Sequence, residues 1–229
     1  MLHLLCTIAA ALLQPSAIPA DGIQSRATER VALSAALVAL LPSEGAPAFA
    51  TGDLLSAIES LEALEYGPET AEFHRIGVTG HWALRSASEP THASPLEAFE
   101  MRTADIDILS VEQTIDGDGS LRTAVQFHLP ADALDGRLEI DGTLALTPMV
   151  DSLDLRTSGR RLSLKQAPST IGIPDLMKAL HARLGPESRG EEGVRIGLQT
   201  TYMDESLRIT RCTTGSLRGD CTVHVRVKA

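Results

Sequence analysis

Asp204, Glu205 and Arg208 lie close enough in the sequence to form a paired-charge cluster. Two neighbouring carboxylates can do general acid/base work if one of them is held protonated near neutral pH. A turn that exposes both carboxylates, one of them pairing Arg208, accounts for the same residues without chemistry and is the arrangement expected. Other residue types with chemical potential are dispersed. The seven histidines stand singly, and there is no Gly-x-Ser-x-Gly elbow, no phosphate-binding glycine loop and no His-Glu-x-x-His. Asp116-Gly117-Asp118-Gly119 lacks the downstream ligands of a calcium loop and reads as a hairpin turn. Arg218-Gly219-Asp220 reads as a turn tripeptide. No catalytic residue, metal ligand or cofactor is expected.

The elements that carry these residues belong to a chain of 229 amino acids with a formal net charge of −10 and 43% hydrophobic content. That length suits one domain plus a presequence, and the apolar content is enough for a core. The acidic balance, with no basic cluster larger than Arg160-Arg161, argues against nucleic acid as a partner. Aromatics make up only 3% of residues, too few for stacking platforms along a single strand or a sugar chain.

Residues 1–50 read as a targeting presequence and residues 51–229 as the folded domain. Leu4 to Leu13 is an apolar run of signal-peptide length, short of the about 20 residues that span a bilayer. A segment containing Arg26 and Arg30 follows, then a second run from Val31 to Leu41 that ends in the small-x-small pattern Ala48-Phe49-Ala50. One reading is a hydrophobic leader followed by an Ala-rich linker. The other is two signals in series, directing the protein to the thylakoid lumen of a plastid enclosed by extra membranes.

From Asp53 to Glu65 the spacing predicts an amphipathic helix, with Leu54, Ile58, Leu61 and Leu64 on one stripe and Gly67-Pro68 as its stop. From Val78 onward the period is two. Val78, Gly80, Trp82 and Leu84 share one face. Leu121, Thr123, Val125, Phe127 and Leu129 share another, as do Leu138, Ile140, Leu144 and Leu146, and then Val194, Ile196, Leu198 and Tyr202. Shorter runs at Ile106 to Ile115, Leu153 to Leu155, Leu162 to Leu164, Leu207 to Ile209 and Val223 to Val227 add strands, with Ser158-Gly159 as a further turn signal. A second helix between late strands starts at Pro174, carries Met177, Leu180 and Leu184 on one stripe, and ends at Gly185-Pro186. The expected fold is mostly β. Eight or nine strands form a closed antiparallel barrel of the lipocalin-like kind, with an N-terminal amphipathic helix and one further helix before the last strands.

The stretch Thr200-Thr201-Tyr202-Met203-Asp204-Glu205-Ser206-Leu207-Arg208-Ile209-Thr210-Arg211, read with Val223-His224-Val225-Arg226-Val227 and with Gly80-His81-Trp82, resembles the signature of the plastid-lipid-associated protein family, the fibrillins. The match in element order runs from about Asp53 to Ala229. It is specific in Thr200 to Arg211 and moderately so around Trp82. The resemblance implies a barrel that binds or carries a hydrophobic plastid molecule such as a carotenoid, quinone or acyl lipid, or associates with a thylakoid or plastoglobule surface. One alternative is a filled barrel acting through its surface on a photosynthetic complex. Another is an isoprenoid-modifying enzyme of the same fold. The chain departs from the family at Ala83-Leu84-Arg85-Ser86, where a family aromatic is missing, and in the longer Cys212 to Cys221 turn.

In a lipocalin-like Gly-x-Trp arrangement the glycine permits close chain passage and Trp82 closes one end of the barrel, beneath a cation supplied by Arg208 or Arg226. Phe127, Leu144 and Tyr202, on apolar faces farther along, are the candidates for lining a pocket, together with Trp82 and Arg208. If the apolar faces Leu207/Ile209 and Val223/Val225/Val227 both point inward, Cys221 points inward and Cys212 outward. A disulfide between them then needs a bulge in the turn to realign the faces.

Overall fold

The period-two segments form strands that close on themselves. A computed structural model describes residues 20–43, 45, 47–50, 52–64, 70–88, 106–147, 149, 151–183, 195–215 and 218–228. Its elements run α1 (Ala20–Leu40), β1 (Ala48–Ala50), α2 (Asp53–Glu62), α3 (Ala71–Val78), β2 (Gly80–Ser88), β3 (Asp107–Ile115) and β4 (Ser120–Leu129). After a 3-10 turn at Pro130–Asp132 come β5 (Leu134–Leu146), β6 (Ser152–Leu164), α4 (Ile173–Arg183), β7 (Arg195–Met203), β8 (Leu207–Cys212) and β9 (Cys221–Arg226). Strands β2 to β9 pair in sequence order and β2 also pairs with β9, closing an eight-stranded antiparallel barrel. This is the fold expected from the alternation. Strand β2 meets β3 only over Gly80 to Ala83. Beyond that point the short β1 lies parallel to β2, with Ala48 opposite Ser86.

The turn at Asp116-Gly117-Asp118-Gly119 joins β3 to β4 as expected, closed by Gly119 N–H to Asp116 O at 2.9 Å. Gly119 has φ +86°, and the carbonyl of Leu144 occupies the place a Cβ would take, so only glycine fits there. Ser158-Gly159, by contrast, is no turn. Leu153/Leu155 and Leu162/Leu164 lie on one 13-residue strand, β6. Its register against β5 skips Ser158, with Asp141 opposite Gly159 and Gly142 opposite Thr157. The two leucine pairs fall on odd and even positions, and the extra residue of this bulge lets both face inward.

Among the described residues the core has three parts. Inside the barrel, Val125, Phe127, Leu138 and Ile140 pack against Leu176 and Leu180 of α4. Also inside, Trp82, Ile115, Leu121, Leu153, Leu155, Ile196 and Leu198 pack with Val78 of α3. The third part lies outside: Leu37 of α1 and Leu54, Ile58 and Leu61 of α2 cover Tyr202, Leu207, Ile209 and Val223. The expectation that the apolar faces of β8 and β9 point inward is therefore corrected. Helices α1 and α2 give the outer face of this part of the sheet something apolar to pack on, so Arg208, Thr210, Thr222 and His224 face the interior.

Helix α2 carries the expected stripe, and Pro174 sits in the first turn of α4, where its missing N–H costs nothing. The two stop signals, Gly67-Pro68 and Gly185-Pro186, lie outside the described residues, as do Leu184, Val194, the run Leu4 to Leu13 and Cys6. Helix α3 was not foreseen. Thr70 caps it by accepting from Phe73 N–H at 3.1 Å, and it buries His74 and Val78. The stretch read as presequence contains α1 and β1, and Leu37 within it is fully buried.

Candidate functional site

The residues that could do chemistry inside this barrel gather around Trp82. Its side chain is fully buried and its indole N–H donates to Val78 O at 2.8 Å. Both arginines that the sequence offered as the stacked cation are in place. The guanidinium carbon lies 5.1 Å from the ring centroid for Arg208 and 4.2 Å for Arg226. Gly80 has φ +140°, and any Cβ there would strike the Arg226 guanidinium, which accounts for the glycine two residues before the tryptophan.

Arg226 donates from Nε to Glu205 O at 2.8 Å, from Nη1 to Thr79 O at 3.0 Å and from Nη2 to Gly77 O at 2.7 Å. These bonds tie β9 to the end of α3 and to the turn before β8. Arg208, only 2% exposed, donates from Nη2 to Gln113 Oε1, and Gln113 Nε2 lies 3.5 Å from Thr123 Oγ1. Beside them is a cavity of about 10 Å³, walled by Leu121, Leu144, Leu153 and Leu198 and by the polar groups of Gln113, Arg208 and Thr210. Leu144 is only half-buried. On α3, His74 Nε2 lies 2.7 Å from Thr200 Oγ1, both groups buried.

Of the sequence-predicted residues, the cavity brings together Leu144 and Arg208, with Trp82 stacked behind the arginine. Phe127 faces inward but belongs to the other inner cluster, its ring over Gly136. Tyr202 is corrected: it lines no interior pocket. The β7 register slips between Thr200 and Tyr202, so Tyr202 pairs with outward-facing Ile209 and packs beneath the helices. Gln113 and Thr210 were not anticipated. Gln113 could have been found as the polar interruption between Val111 and Ile115, whereas Thr210 sits on the face of β8 that the sequence suggested was outward.

Asp204, in the turn between β7 and β8, is not exposed as expected: it is partly buried against the outer layer, while Arg208 faces the interior. Its carboxylate accepts from Ser206 N–H at 2.7 Å, Leu207 N–H at 2.8 Å, Ser206 Oγ–H at 3.0 Å, Ser34 Oγ–H at 2.7 Å and Tyr202 O–H at 2.9 Å. Burial pushes this carboxyl up, but the bonds from Ser34, Ser206 and Tyr202 outweigh it and hold the group below its usual range. That is the opposite of what a general acid needs. The Tyr202 phenol is pushed up to about 12, first by burial and then by the Asp204 charge.

Cys212 and Cys221 are not bridged. Cys221 pairs with Arg211, one residue short of Cys212, so the thiols lie on opposite faces. Cys212 belongs to the inner cluster with Trp82 and Cys221 to the helix-covered layer, the reverse of the expected orientations. Among the described residues no group of three or more His, Cys, Asp or Glu is placed to hold a metal ion. No protein-family model and no curated protein matches the chain.

Proposed function

We propose that the protein is a non-enzymatic binding barrel for a hydrophobic molecule or lipid. One observation carries the reading: a closed barrel whose interior holds a leucine-walled cavity with a few polar groups at one side. That is the composition of a site where burial drives binding, at about 25 cal/mol per Å², and placed polar atoms orient the ligand. The fibrillin-like tail supports a carotenoid, quinone or acyl lipid as the class, and a thylakoid or plastoglobule surface as the place of exchange. Solvent extraction of the natively purified protein, followed by mass spectrometry, is expected to yield one such molecule in stoichiometric amount.

A second reading, a filled barrel acting through its outer surface on a photosynthetic complex, is favoured by the size of the cavity. About 10 Å³ holds one water. Under the first reading a ligand enters by displacing leucine side chains, with half-buried Leu144 the nearest to solvent. An extract containing no small molecule would favour the second.

A further inference from the structure

One of the two interior clusters is filled from a helix rather than from a strand. Helix α4 lies in the connection between β6 and β7, and its Leu176 and Leu180 are fully buried against Val125, Phe127, Leu138 and Ile140 of β4 and β5. The strand ladder is incomplete at this end. Among the described residues β6 pairs with β7 only over Ser152 to Arg156, so the second half of β6, through Leu164, pairs with β5 alone. Likewise β3 pairs with β2 only from Glu112 to Ile115. Strands β4 and β5 are bonded along both edges, and moving either one breaks a ladder. A helix makes its backbone bonds along its own axis, and a segment held mainly by side chains opens at lower free energy than paired strands. The leading end of α4 is held by a latch. Asp132, between β4 and β5, accepts from Ser169 N–H at 2.8 Å and Ser169 Oγ–H at 2.6 Å, and from the N–H and Oγ1–H of Thr170, all at the surface. Ile171, next in the chain, packs on the same cluster as the two leucines.

We propose that the space held by Leu176 and Leu180 is the seat of the ligand's hydrocarbon part, with α4 as a plug that withdraws when a ligand enters and the Asp132 latch setting how often it does. This deepens the binding-barrel reading and rests on it. The leucines stand four residues apart, about 6 Å along the helix. The groups packed around them are aliphatic or aromatic, so the occupant is an uncharged segment of several carbons. The water-sized cavity beside Arg208 is walled by leucines of the other interior cluster, and its size sets no limit on this one.

The test uses the full chain and the uncharged dye N-phenyl-1-naphthylamine, whose fluorescence rises in apolar surroundings. Hydrogen exchange reads the helix and the strands separately. Without dye, the amides of Leu176 to Leu180 are expected to exchange at least about tenfold faster than those of Val125 to Phe127 and Leu138 to Ile140. Saturating dye, bound one per chain, should speed the exchange of α4 and slow that of β4 and β5, because it takes the place of the leucines. Asp132→Ala should raise α4 exchange several-fold and tighten the dye by the same factor, since apparent affinity follows the fraction of open molecules. Should Asp132→Ala fail to fold, Ser169→Ala with Thr170→Val removes the hydroxyl donors to the same carboxylate and is expected to act in the same direction. With the dye bound, protection of α4, exchange of α4 in step with β4 and β5, or latch variants that leave the dye's affinity unchanged would each overturn the plug while leaving the binding barrel standing. If the dye binds neither wild type nor variants, both readings fall together.

Discussion

At the residue scale, the best-connected polar group among those described at the site and its margins is Asp204, and its role is structural. Five donors converge on one carboxylate, including Ser34 from α1 and Tyr202 from β7. Asp204→Asn replaces one acceptor oxygen by a donor and should cost about 1–3 kcal/mol near neutral pH. Because the folded-state pKa is lowered, the stabilisation is present above the ordinary value of 3.8 and is lost as pH falls through the depressed value. Urea midpoints of wild type and Asp204→Asn should therefore differ at pH 7 and converge in acid. A gap that persists at the lowest pH would contradict this linkage. Tyr202 behaves inversely: its raised phenol pKa means a contribution intact below about 10 and lost between about 10 and 12. Alkaline titration should show phenolate absorbance appearing together with loss of structure, and Tyr202→Phe should remove that dependence.

At the element scale, β4 and β5 meet where Phe127 fills the space a side chain at Gly136 would need. A Cβ at Gly136 collides with the Phe127 ring and with Leu164. Gly136→Ala is expected to cost about 1–3 kcal/mol by overpacking. In a Phe127→Leu background the same change should cost measurably less, since the pair shares one space. A double-mutant cycle on denaturant midpoints reads the coupling, and strict additivity would show that the collision is relieved elsewhere. The bulge at Ser158 and the slip after Thr200 act at the same scale. Each adds one residue, and each changes which side chains of β6 or β7 the interior receives.

For the whole molecule, the outer helical layer matters as much as the barrel interior. Leu37, fully buried, and Ala50, 3% exposed, come from the stretch that reads as a presequence, and they share a cluster with Leu207, Ile209 and Val223. Leu37→Ala in the full chain should cost about 2–5 kcal/mol. Removal of residues 1–46 should uncover an apolar sheet face, seen as binding of a hydrophobic dye and a lower thermal midpoint. An unchanged midpoint would mean that α1 adds nothing to the folded unit.

The sequence alone determined the β class, the hairpin at Asp116 to Gly119, the approximate places of α2 and α4, and the stack of arginine on Trp82. The first three follow from local periodicity and turn chemistry, and the last from what the resemblance to a lipocalin-like Gly-x-Trp arrangement implied. Which face of β8 and β9 points inward was decided only by tertiary structure. Alternation marks two faces but does not label them, and the label came from α1 and α2 packing on the outside. That choice placed Arg208 and Thr210 in the interior, moved Tyr202 to the outer layer, and set Cys212 and Cys221 on opposite sides of one sheet.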